Sequence, residues 1–335
     1  MKRRGFQILW AFLLFTVFLF LPVFSWGAGP DLEIPFVAPE YLDAVERVLP
    51  SKPGDLFVQL KNGLTVLIRE VHSSKVVSTQ VLVRTGSIHE DQYLNGGLSH
   101  YLEHLVSGGT TKRFSEETAK KMLQAMGGAS NAYTSYDRTV YFINTTASYY
   151  KQALNLLIGY VTECTIDAQE FEREREVIQQ EMRLGDNDPN RQLWRNFMKT
   201  AYQVHPIRHP IIGYEKVFVR ISRDQLADYY KSRYTPQNMV IGVVGDVDSQ
   251  EALGEVIRLF RDVTRTFEKP VYVPKEPSQV GPRRVEKRLP AARLTSMNVG
   301  FPSVGPGPHR SLSSRCARDH PGKWPDLTAL PTVER

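Results

Sequence analysis

His100-Tyr101-Leu102-Glu103-His104 sets two histidines four residues apart, with a glutamate just before the second. On a helix, positions i and i+4 lie on one face and i+3 lies beside them. His100 and His104 can therefore aim two imidazoles at one metal ion, with Glu103 next to the same point. A hydrolytic zinc takes three protein ligands and keeps a fourth position open for water. It lowers that water's pKa, and a neighbouring carboxylate takes the proton. Glu103 has the type and place for that base. The bland alternative is a surface helix that happens to hold two of the chain's eight histidines.

The third ligand must be a carboxylate or a histidine. A helix expected over Ala168–Leu184 carries Glu170, Glu172, Glu174, Glu176 and Glu181. Most of that run reads as a solvated charged face. Glu174 and Glu181 are two helical turns apart and share a stripe with Val177 and Ile178, which should turn it toward the core. Acids on a buried stripe need compensation, and a metal supplies it. Spacing alone does not choose between Glu174 and Glu181. His205 and His209 are also four apart, but Pro206 and Pro210 prevent a continuous helix, so a loop is expected there.

The elements that must position these groups alternate between strands and helices. Leu56–Leu60 and Leu64–Ile68 flank Lys61-Asn62-Gly63, a hairpin signal. Val76–Thr85 reads as a longer strand. Gly96-Gly97 opens the histidine helix and Gly108-Gly109 closes it. A helix over 117–126 follows Ser115, and strands are expected at Ala129–Thr134 and Thr139–Thr145. Helices are expected at Tyr149–Glu163, Pro189–Ala201, Ser222–Ser232 and Gln250–Phe260, with a buried strand at Asn238–Val244. Antiparallel pairing mixed with helices makes the chain α+β rather than doubly wound.

Of 335 residues, 41% are hydrophobic and 23% charged, which excludes a disordered polymer and a polytopic membrane protein. The net charge of +6 equals the excess of residues 283–335, which hold ten basic and four acidic side chains. The rest is balanced, so nucleic-acid binding has no support. Lys2, Arg3 and Arg4 precede a 17-residue apolar run, Ile8–Phe24, and Ser25-Trp26-Gly27-Ala28 suits signal peptidase. Residues 1–28 thus read as a signal peptide or N-terminal anchor, with the mature part exported. Membrane contact is expected only through that segment if it stays uncleaved. The two cysteines, Cys164 and Cys316, are too few for a disulfide scaffold.

Gly97–Leu105 resembles the active-site helix of the pitrilysin/insulinase family of zinc peptidases. Leu60–Leu64 looks like that family's opening hairpin, Arg84–Ser87 like the strand before its site, and Gly127–Thr134 with Asp137–Tyr141 like its substrate-binding edge. Glu174–Glu181 resembles its distal acidic motif. His205-Pro206, Gly213 and Gly245-Asp246 also sit as in the family. The resemblance implies a largely antiparallel mixed sheet packed against helices and one zinc per chain. It makes His100, His104 and Glu181 the ligands, Glu103 the base and Glu174 a supporting acid. It also puts an extended peptide or unfolded-protein substrate along Asn131, Ala132 and Tyr133, although Asn131 could equally be a turn residue.

The resulting layout is an N-terminal extension (29–54), a metallopeptidase domain (55–267), a proline-marked linker (268–284), the start of a second family domain (285–306) and an atypical tail (307–335). Family members carry a second domain that closes over the first, and a second family chain is one source of the missing half. Back-translated with free codon choice and read one nucleotide later, residues 309–322 resemble the family's next helix. That raises a frameshift near 306 as an expectation, and sequencing the gene there is the check. Two functions follow: a zinc metalloendopeptidase, or a non-catalytic relative that binds peptides or a partner.

Overall fold

The computed structural model describes residues 35–264, 270–290 and 294–301. The segment read as a signal or anchor and the atypical tail lie outside the described residues. The strands are β1 (Val45–Val48), β2 (Asp55–Leu60), β3 (Thr65–Glu70), β4 (Val76–Val83), β5 (Ala129–Thr134), β6 (Thr139–Thr146) and β7 (Met239–Gly245). The helices are α1 (Leu98–Val106), α2 (Glu116–Ala125), α3 (Tyr150–Glu163), α4 (Ala168–Asn187), α5 (Pro189–Ala201), the single turn α6 (Glu215–Phe218), α7 (Arg223–Arg233) and α8 (Ser249–Phe260).

The Asn62-Gly63 turn joins β2 to β3 in antiparallel register, Gln59 opposite Thr65. Gly63 adopts φ +87°, which a residue with a Cβ resists, and Asn62 Oδ1 accepts from the Leu64 amide. Alternate residues on these strands (Leu56, Val58, Leu60, Val66 and Ile68) are buried, as are Val77, Val81 and Val83 on β4. Period-two burial commits one face of the sheet to the core. The strands form one seven-stranded sheet in the order β1-β2-β3-β7-β4-β6-β5. Among the described residues only the β3–β7 pairing is parallel. The fold is therefore α+β with a largely antiparallel sheet, as the sequence implies. Helices α3 and α8 pack against it, and α1 lies against β5 and β6.

Two features differ from the sequence reading. Val45–Val48 falls within the residues read as an extension, yet it pairs with β2 as an edge strand. Four residues with Glu46 and Arg47 at their centre give too little alternation to announce a strand. On α4, Ile178 is fully buried but Val177 is 38% exposed, so Val177 does not turn the acid stripe inward. At 3.6 residues per turn, Phe171, Ile178 and Met182 share the buried side. Glu174 and Glu181 stand at its margin, and Val177 lies one step farther round.

Candidate metal centre

The helix carrying the histidines is anchored at its N-terminus and along its buried face. Its N-cap, Gly97, has φ +75°, and a Cβ there would lie 2.2 Å from the Ile212 carbonyl oxygen. The buried Glu90 carboxyl group accepts from the Gly97 and Ser99 amides, both at 3.0 Å, and so satisfies two of the free N–H groups at the start of the helix. Burial pushes Glu90 up to about 8 against the pull of those amides. Leu98, Tyr101, Leu102, Leu105 and Val106 are buried, leaving His100, Glu103 and His104 on the other side. Tyr101 stacks on Phe171 at 4.9 Å and donates its hydroxyl to the Phe171 carbonyl, locking α1 against α4.

That packing brings Glu174 and Glu181 to the histidines across some seventy residues of chain. Glu181 Oε2 lies 3.7 Å from His100 Nε2, and its Oε1 lies 3.8 Å from His104 Nε2. The three residues offer donor atoms within 4.8 Å of one another. Tetrahedral zinc with ligand bonds of about 2.0–2.1 Å spaces its donors roughly 3.4 Å apart, so this set fits that metal. Glu174 Oε2 instead lies 3.1 Å from His104 Nδ1, on the ring's far side. Glu103 accepts a 2.6 Å hydrogen bond from the Thr134 hydroxyl.

The proton affinities suit a cation. Burial and the neighbouring His104 push His100 down to about 3, leaving the neutral imidazole that ligates metals. Burial opposes charge on His104 too, but the bond to Glu174 and the nearby carboxylates hold it above the ordinary histidine value. Burial raises Glu103 above the usual glutamate range, with the Thr134 bond pulling the other way. The His104 bond, despite burial, keeps Glu174 below it.

Residues 65–215 match the insulinase family, peptidase family M16, and residues 220–321 match the M16 inactive domain. The chain belongs to peptidase family M16. The zinc protease PqqE of Helicobacter pylori is 32% identical over 248 residues, 73% of this chain and 55% of that protein. A probable mitochondrial-processing peptidase subunit beta of Arabidopsis thaliana is 29% identical, over 79% of this chain and 51% of its own. The crystal structure of a Helicobacter pylori protease superposes with a TM-score of 0.64 at 33% identity, covering 69% of this chain and 56% of the other. The periplasmic protease PqqL of Escherichia coli gives 0.61 at 26% identity, covering 69% and 26%. The chain spans about half the length of the curated relatives it matches.

In this M16 chain the remaining candidate residues divide. Asn131 and Ala132 line a cleft beside Glu103 and His104, on the end strand β5. Asn131 Oδ1 accepts from the Ala132 amide. Tyr133 shares the outer face of β5 with Asn131, is 44% exposed and lies outside the cleft lining. His205 and His209 flank a 3-10 turn, Pro206–Arg208, rather than sharing a helix. Two residues that touch the site were not singled out from sequence: Thr134, which holds Glu103, and Glu90, which anchors α1. Thr134 lies in the edge-strand motif, but only alternation along β5 shows that it shares the inward face with Ala132.

Proposed function

We propose that this chain is a zinc metalloendopeptidase acting on extended peptides, with one zinc held by His100, His104 and Glu181. The observation carrying this reading is the convergence of those donors beside Glu103. Zinc bound there supplies a Lewis acid that acidifies a water and polarises the scissile carbonyl. Glu103 accepts the proton that water loses and passes it to the leaving nitrogen; its raised pKa suits both directions. Thr134 fixes the carboxylate's orientation. Glu174 holds His104 by Nδ1 and leaves Nε2 for the metal. The backbone of β5 at Asn131 and Ala132 offers an extended peptide a strand to join. Zinc content, measured alongside quenched-peptide hydrolysis, tests the reading; a purified chain that binds no zinc overturns it.

The match of residues 220–321 to the family's inactive domain supports a second reading, in which the chain binds peptides or a partner without cleaving them. A second M16 chain facing this one is the partner expected in either case. Assaying the chain alone and with candidate M16 partners separates the two, since only a catalytic site gains turnover that needs Glu103. We place the protein outside the cytoplasm, as a periplasmic or extracellular protein or one held by an uncleaved N-terminal segment. Support comes from the basic and apolar start of the chain and from the likeness to a periplasmic protease. Among the described residues no helix is long and apolar enough to cross a membrane.

A further inference from the structure

The proline-marked stretch after α8 is bound to the domain rather than hanging from it. Gln203, Val204 and His205 follow the end of α5, and their successive amides meet one carboxylate. Glu276 Oε1 accepts from Gln203 at 2.7 Å, and Oε2 accepts from Val204 and His205 at 2.9 Å each. Successive amides turned the same way form a small concave anion site. Burial opposes charge on Glu276, yet the His205, Gln203 and Val204 amides hold its carboxyl down to about 2. Farther along, Arg283 supplies the opposite charge. Its guanidinium donates to the Thr200 and Ala201 carbonyl oxygens at 3.3 and 2.9 Å, groups that the last turn of α5 leaves without helical partners. A cation also suits the negative end of a helix. Arg283 and Glu276 lie 3.8 Å apart, their side chains 21% and 18% exposed.

Proline prepares this clasp. Pro277 and Pro282 stand between its two ends, with Pro270 and Pro274 ahead of it. A proline fixes its own φ and keeps the residue before it extended, so this stretch loses little freedom on docking. Beyond Arg283 the hold loosens. Residues 284–288 and 294–301 are exposed, Lys287 reaches Gln192 Oε1 only at 3.4 Å, and Gly300 passes the Phe197 ring without a side chain. We infer that residues 276–283 are a strap fixed to the end of α5 by Glu276 and Arg283, so that movement of the following chain against this domain starts beyond Arg283 and not in the proline-marked linker. The loop that the strap grips continues to Ile212 and Gly213, which abut Gly97 at the start of α1. The pivot therefore sits on the backing of the metal helix. The strap holds whether or not the chain cleaves peptides.

Distances between spin labels on the full chain, read by double electron–electron resonance, test this. One label goes on Lys121→Cys of α2, and the other on Ser278→Cys inside the strap or Met297→Cys beyond it, all exposed positions. Cys316→Ser removes a third target, and Cys164 is left buried. The pair with Ser278→Cys should give a narrow distance distribution and the pair with Met297→Cys a wide one. Adding Glu276→Ala and Arg283→Ala should widen the first to match the second. Hydrogen exchange supplies an independent readout. The Gln203, Val204 and His205 amides should exchange about tenfold or more faster in Glu276→Ala, the ratio one lost charge-assisted hydrogen bond gives. Glu276→Gln, which keeps a neutral acceptor, should fall between. A wide distribution at Ser278→Cys in the otherwise natural chain overturns the strap, as does unchanged exchange at those amides in Glu276→Ala. Equal widths at the two positions overturn the placing of the movement. Neither the natural-chain widths nor exchange in Glu276→Gln depends on the double variant folding.

Discussion

Two histidine pairs in this chain have the same spacing and different surroundings. His100 and His104 sit on α1 with ring centroids 4.8 Å apart, beside carboxylates delivered by α4. His205 and His209 flank a proline-started turn and look to separate neighbours. His205 Nδ1 accepts from the Ile207 amide, and His209 Nδ1 pairs with the Tyr214 hydroxyl. Spacing is therefore a statement about chemistry only where the backbone repeats every 3.6 residues. A second helix must also bring an anion to the same point.

The sharpest way to break this contrast is to remove the rings one at a time. His100→Ala or His104→Ala should abolish stoichiometric zinc, whereas His205→Ala and His209→Ala should leave it intact, as read by plasma emission. Zinc retained at one per chain in either α1 variant would end the assignment. Next in size, Glu103→Gln takes away the proton acceptor but no ligand. Zinc should stay while any peptide turnover falls by about 10²-fold or more. Equal loss of both would make Glu103 a ligand.

The two acids of α4 come third. Glu181→Gln should lose zinc almost completely, while Glu174→Gln should weaken it by about 10–100-fold, since its carboxylate only orients His104. A chelator competition ranks them, and the reverse order exchanges their roles. Glu90 sharpens the contrast from the other end: it is buried and caps the helix that carries the α1 pair, whereas Glu276 at the loop pair accepts from the amides of Gln203, Val204 and His205 and caps no helix. The Glu90 pKa of about 8 in the fold lies above the ordinary glutamate value of 4.5. Between those values only the folded state holds the proton, so stability should fall as pH rises across the window. Denaturant unfolding from pH 5 to 8 should show that slope in the natural chain and a flatter one in Glu90→Gln.

The smallest effect belongs to the loop pair itself. Burial, together with nearby Arg208 and Lys199, keeps His209 below the ordinary histidine value, and burial does the same for His205. Both should titrate below pH 6.5 by NMR. Each folds best as the neutral ring, so their contribution is present above the unfolded value and lost as pH falls through it. A midpoint above 6.5 would mean, for His205, that the attraction of nearby Glu276 outweighs burial and, for His209, that a carboxylate reaches it in solution.

Much of this was legible in the residues. Asn62-Gly63 gave the hairpin, Gly96-Gly97 and Gly108-Gly109 bounded α1, and Pro206 with Pro210 removed the second histidine pair. What stayed hidden depends on contacts between distant segments. The two acids of α4 look alike in sequence and part only because α1 crosses so that one meets Nε2 and the other Nδ1. Glu170 reads as one more solvated glutamate, yet the Thr110 loop folds over it. Val177 looks like core by type, and its angular place on α4 puts it outside. β1 escaped because two of its four residues are charged.

The sheet order carries a consequence for how the protein is made. β7 lies between β3 and β4, so the strand that joins the two halves of the sheet is the last to be synthesised. Until residue 245 has left the ribosome, β1-β2-β3 and β4-β6-β5 have no shared partner, and each exposes a long unpaired edge. Folding must wait for a contact between residues more than 150 positions apart, the kind of closure that slows assembly and exposes chains to aggregation. The same arrangement warns the engineer: a fragment ended at residue 215, where the match to the insulinase domain stops, keeps every proposed zinc ligand and loses the middle of the sheet beneath them.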